Sequence, residues 1–211
     1  MISLTRRALL PSALLVAASP HLIPRALADD VGLDQPLVDL YAGLQAAMKS
    51  GKTTPFPQRY DALAPFVDKA FDLETILKVS VGLRWDSMDA ATQAKLLRTF
   101  RTFTIATYVA NFDKYDGEKF RVLPGARDSG TDRIVHTEMV PSTGDTVRLD
   151  YVMREENGTW RVVDILLDGS ISRVAVQRSD FRKLLVGGDA DALIASLRRK
   201  ISDLSEGSLN S

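Results

Sequence analysis

Cysteine is absent from the 211 residues of this chain, and histidine occurs only twice. Without a thiol there is no disulfide, no zinc–thiolate or iron–sulfur site, no cysteine nucleophile and no acylated lipoprotein cysteine. The histidines, His21 and His136, are too few for a multi-histidine metal site. A Gly-x-Ser-x-Gly elbow is also missing, which leaves His136 without the usual partner motif of a hydrolase. Gly187-Gly188 lacks the lysine and the preceding strand of a phosphate loop. No segment approaches the ~20 consecutive apolar residues of a membrane-spanning helix. Nothing in this inventory calls for a metal or a cofactor.

What is present begins with residues 1–28, MISLTRRALLPSALLVAASPHLIPRALA. Basic residues near the start, an apolar stretch from Ala8 to Ala18 and the small-x-small ending Ala26-Leu27-Ala28 are the layout of an export signal. Thr5-Arg6-Arg7-Ala8-Leu9-Leu10 is similar to a twin-arginine motif, so both the general and the twin-arginine routes stay open. Cleavage after Ala28 leaves residues 29–211 as a single domain. Loss of Arg6, Arg7 and Arg25 takes the chain from 27 basic and 27 acidic residues to 24 and 27, a formal charge of −3. That balance lacks the basic footprint of nucleic-acid binding.

Hydrophobic spacing predicts helices over Leu33–Met48, from the end of a Thr53-Thr54-Pro55-Phe56-Pro57 break to about Phe66, over Asp72–Val81 and over roughly Ala90–Asp113. Asp34, Ser170 and either Ser87 or Asp89 are placed to cap helix starts. From Lys119 the period changes to two. Strands are expected at Lys119–Leu123, Thr131–Val140, Thr146–Glu155 and Thr159–Leu167, with Asn157-Gly158 as a hairpin turn. Two helices, Ile171–Val186 and Asp189–Leu204, and a frayed tail close the chain. The predicted class is α+β: an antiparallel sheet of about four strands wrapped by N- and C-terminal helices.

The last strand and its exit read WRVVDILLDGSISRV from Trp160. Strict alternation puts Trp160, Val162, Asp164 and Leu166 on one face and Arg161, Val163, Ile165 and Leu167 on the other. A strand apolar on both faces needs cover on both, from helices on each side or from helices and a cavity. Ile165, Leu166 and Leu167 offer no oxygen ligands between Asp164 and Asp168, which excludes a calcium loop. Asp164 reads as a structural acid, and Asp168-Gly169-Ser170 as the corner between sheet and helix.

Three blocks give the chain a family resemblance over roughly Leu37–Leu204. They are Gly82-Leu83-Arg84-Trp85 with the long helix carrying Phe100, Phe103, Tyr108 and Phe112; Tyr115-Asp116-Gly117; and Trp160, Val162, Asp164, Gly169 and Ser172 ahead of Arg178-Ser179-Asp180-Phe181. The chain resembles the toluene-tolerance (MlaC-type) periplasmic lipid shuttles. Gly169-Ser170-Ile171-Ser172, where that family usually has Gly-Val-Ser, is similar to the hopanoid-associated (HpnM-type) branch. The resemblance implies a non-enzymatic periplasmic carrier without a cofactor, its cargo a phospholipid or a hopanoid. The implied partners are an inner-membrane ABC transporter complex and an outer-membrane lipoprotein or porin complex. The expected cavity is lined by Ile76, Val79 and Leu83, by Leu97, Phe100, Phe103, Tyr108 and Phe112 of the long helix, and by Val147, Leu149, Tyr151, Val163, Ile165 and Leu167 of the sheet. Two rivals remain: a cavity enzyme of ketosteroid-isomerase type, with Asp164 as base and Tyr151 as oxyanion donor, and an adaptor with a filled core.

Overall fold

In the computed structural model the described residues are 32–185 and 190–209. The expected export signal at 1–28, the Gly187-Gly188 break, and Asn210 and Ser211 lie outside them. Four helices come first: α1 (Gln35–Ser50), α2 (Phe56–Ala70), α3 (Leu73–Val81) and, after a 3-10 turn over Gly82–Ser87, α4 (Ala90–Asn111). The strands β1 (Lys119–Val122), β2 (Arg127–Ser129), β3 (Asp132–Val140), β4 (Val147–Glu156), β5 (Thr159–Leu167) and β6 (Ile171–Ser172) follow. Helices α5 (Arg173–Leu184) and α6 (Asp191–Leu204) end the fold. No helix among the described residues is long and apolar enough to cross a membrane.

The caps explain where several helices start. Asp72 accepts from the Thr75 amide at 2.9 Å and Asp89 from the Thr92 amide at 2.8 Å, each filling one of the free donors of a first turn. Asp34 makes no such side-chain bond; its carbonyl instead accepts from Leu37 and Val38. The expected cap at Ser170 falls to Ser172, which accepts from the Ala175 amide at 2.9 Å. The chain runs on as β6 before the helix begins, so the cap moves with it.

The sheet has six strands rather than about four, in the order β1-β3-β4-β5-β6, with β2 also paired to β3. All of these pairings are antiparallel. The two additional strands are short: every residue of β2 is exposed, and β6 is two residues long. Neither can show a hydrophobic alternation. Asn157 and Gly158, with φ of 53° and 77°, make the tight β4–β5 turn, since asparagine tolerates positive φ and glycine has no Cβ to oppose it.

Between β4 and β5 the register shifts. Val152 faces Asp164 and Met153 faces Val162, which leaves Val163 as an extra residue. Such a bulge reverses the alternation that follows it. Val162, Ile165 and Leu167 therefore share one face with Met153, Tyr151 and Leu149, where strict alternation separates Val162 from the other two. That face meets the helices. Leu37, Leu40, Leu77, Leu96, Ile105 and Val109, each 0 % exposed, form the core with Val135, Met153 and Val162. Full burial of one such side chain stabilises by about 1.5–3 kcal/mol before entropy is charged. The expected frayed tail is ordered through Ser205–Ser208: Ser205 is buried and the Gly207 amide bonds back to Ser202 at 2.8 Å.

Candidate functional site

Where α4 passes over the sheet, the packing leaves a cavity of about 380 Å³. This is within the ~300–1,000 Å³ range of small-molecule sites. Helix α4 supplies one wall through Phe100, Phe103, Thr104, Thr107, Tyr108 and Asn111, a stripe at i, i+3, i+4, i+7, i+8 and i+11. The sheet supplies the floor through Phe120, Leu149, Tyr151, Ile165 and Leu167. Tyr41 and Leu44 from α1, Leu73 and Ile76 from α3, and Val174 and Gln177 from α5 complete most of the remainder. Stacked and tilted rings join Tyr41, Phe120, Phe112, Tyr108 and Phe71 along it, with centroids 4.7–6.0 Å apart.

Nine of the fourteen expected site residues lie on this cavity: Ile76, Phe100, Phe103, Tyr108, Phe112, Leu149, Tyr151, Ile165 and Leu167. Five lie elsewhere. Val79 is 47 % exposed because Leu73, Ile76, Leu77, Ser80 and Val81 already use the inward face of α3. Leu83, in the 3-10 turn, is 91 % exposed. Leu97 packs against the core one turn before the stripe reaches open space. Val147 is on the floor's face but at the exposed start of β4. Val163 is the bulge residue, buried but away from the cavity. Sequence reasoning missed Tyr41, Leu44, Phe71, Phe120, Thr104, Thr107 and Asn111. The α4 members were detectable, since small polar residues interrupting an aromatic stripe mark a wall facing a void rather than a filled core.

Three tyrosine hydroxyls converge in the cavity. Thr137, fully buried, donates to the Leu149 carbonyl at 2.6 Å, so its oxygen accepts from Tyr41, also at 2.6 Å. Tyr151 in turn bonds to Tyr41. Burial raises the pKa of all three phenols, Tyr41, Tyr108 and Tyr151, and keeps them neutral donors. Unlike the other two, the Tyr108 hydroxyl has no hydrogen-bond partner among the described residues.

The two acids of the last strand's exit separate cleanly. Asp164 reaches the cavity's edge, but its Oδ1 accepts from the amides of Ile165 at 2.7 Å and Val174 at 3.0 Å, and its Oδ2 from the Ser172 hydroxyl. It ties β5 to the first turn of α5. Asp168 (φ 49°) and Gly169 (φ 71°) turn the chain. A Cβ on Gly169 would stand 3.2 Å from both the Arg148 guanidinium and Asp150, so the corner demands glycine.

No curated protein matches the sequence. Among solved structures, the phospholipid-binding protein from Ralstonia solanacearum, in complex with a phospholipid, superposes with a TM-score of 0.70 at 17% identity, over 83% of this chain and 98% of that one. At that identity the likeness establishes the fold. The family described as MlaC protein matches residues 39–199, and the chain belongs to the MlaC family.

Proposed function

We propose that this protein is a periplasmic lipid-binding carrier, taking the acyl chains of its cargo into the cavity between α4 and the sheet. The observation that carries the reading is the lining itself: aliphatic and aromatic side chains from both layers surround a space of about 380 Å³. Each methylene moved there from water gains about 0.8 kcal/mol, so affinity needs no dedicated polar motif. The phospholipid-bound structure of similar fold supports the same use of the space. In this reading the carrier passes phospholipid, or a hopanoid-like lipid, between an inner-membrane ABC transporter complex and an outer-membrane lipoprotein or porin complex.

The isomerase reading is disfavoured by two contacts. Asp164 is held by three donors, and the Tyr151 hydroxyl is spent on Tyr41. The test is native purification, organic extraction and mass spectrometry. Stoichiometric co-purified lipid is expected. Absence of lipid, together with failure to take up labelled phospholipid or hopanoid, contradicts the carrier. Asp164→Asn is expected to retain lipid, whereas loss of a catalytic turnover with lipid uptake intact points to the enzyme.

A further inference from the structure

The block Gly82-Leu83-Arg84-Trp85 has a shape that neither the cavity nor the core explains. Gly82, at φ 70°, ends α3 in a conformation that glycine adopts without strain. The 3-10 turn that follows buries Trp85, and Met88 just beyond it is buried too. Leu83, between these anchors, is 91 % exposed, and Val79 one turn earlier is 47 % exposed. Leu73, Ile76, Leu77, Ser80 and Val81 already fill the inward face of α3, so the core has no use for either residue.

The charges around this apolar tip are uneven. Lys78 pairs with Glu74 at 2.7 Å, lies 5.9 Å over the Trp85 ring and is also attracted by Asp86. Arg84 and Arg178 are exposed, and their side chains enter no ion pair or hydrogen bond among the described residues. Arg178 is nevertheless held beside the tip. It comes from α5, which the Ser80–Gln177 bond of 3.1 Å ties to α3, and its guanidinium lies 3.3 Å from where a Gly82 Cβ would stand. Gly82 thus leaves room for a cation next to Leu83.

Exposed apolar side chains ringed by free cations call for a partner that is apolar within and anionic at its surface. A protein partner requires a broad interface with an apolar core, and two side chains at a turn are too few to form one. A bilayer requires less: an apolar point that enters the acyl boundary, and cations that meet anionic headgroups.

We propose that the Leu83 turn docks this protein on anionic membrane surfaces, Leu83 and Val79 entering the interface while Arg84 and Arg178 meet the headgroups. Leu73 and Ile76, on the inward face of the same helix, line the cavity, so docking brings a cavity wall close to the bilayer. The purpose of docking rests on the lipid-carrier reading, whereas membrane binding itself needs no cargo.

The experiment is co-sedimentation of the purified protein with vesicles of phosphatidylcholine, alone or mixed in equal parts with phosphatidylglycerol. Binding to the mixed vesicles is expected, and high salt weakens it by screening. Leu83→Ser weakens it about tenfold, and Arg84→Gln combined with Arg178→Gln also about tenfold. Leu83→Trp tightens it, because indole favours the membrane interface, a gain that a misfolded variant would not show. Val38→Ser, which removes an exposed apolar side chain from α1, leaves it unchanged. Absence of binding to the mixed vesicles, or binding that survives both Leu83→Ser and the double arginine variant, overturns the proposal. So does cross-linking of position 83 to a protein without vesicle binding, which gives the turn to a protein partner. Vesicle binding by a protein that retains no lipid supports the docking and defeats the carrier reading alone.

Discussion

On the helix-facing side of the sheet, Leu149, Tyr151, Ile165 and Leu167 look into open space. On the opposite side of the same strands, Asp150 is 0 % exposed and every contact around it is made. Arg148 clasps its carboxylate with two bonds of 3.0 and 2.7 Å, and His136 approaches at 2.9 Å from directly across β3. Arg154 makes a second two-pronged grip on Asp132, with both bonds 2.8 Å. One face is therefore locked by charge-assisted bonds and the other keeps a space. A floor pinned from behind can stay flat while the chamber in front of it fills and empties. In this account rigidity and binding are assigned to opposite faces.

The locked face depends most on Asp150. Asp150→Ala leaves Arg148 and His136 without their anion, and a loss of about 3 kcal/mol is expected in urea unfolding. The pH dependence has a definite sign. Burial raises the Asp150 pKa, but the bonds from Arg148 and His136 outweigh it and hold the group below its ordinary value. Its contribution is thus complete above the unfolded value of about 3.9 and is lost as pH falls through the folded one. The stability gap between wild type and Asp150→Asn should narrow as unfolding is measured from pH 6 down into that range. A gap independent of pH contradicts the assignment.

Gly169→Ala comes next, at about 2 kcal/mol, because a side chain is strained at φ 71° and crowds the Arg148–Asp150 pair. The same unfolding series measures it. Smallest is Leu83→Ser. With Leu83 91 % exposed, stability should change by less than about 0.5 kcal/mol and lipid retention not at all. A large effect on retention would return Leu83 to the binding surface.

Much of this was legible in the sequence, and the failures have physical causes. Phe100, Phe103, Tyr108 and Phe112, expected at a cavity from the family resemblance, line the space between α4 and the sheet, while spacing alone left a filled core equally open. The turn at Asn157-Gly158 followed from two residues that accept positive φ. The face of β5 did not follow. A bulge at Val163 changes parity without any compositional mark, since valine fits both sides of a strand. Strands β2 and β6 carry no apolar alternation, being defined only by backbone pairing with β3 and β5. Tyr41 and Phe120 were beyond reach for a different reason: their contact depends on bringing α1 against β1, far apart in the chain.

The central claim is that the space under α4 holds lipid chains. Thr104→Trp fills that space from a position already on its wall. Uptake of labelled phospholipid by this variant, measured beside its thermal unfolding, is the most direct test. The account predicts uptake reduced at least tenfold with the folding transition intact, since the indole occupies void rather than core. Undiminished uptake by a folded Thr104→Trp protein would place the lipid elsewhere and contradict the account.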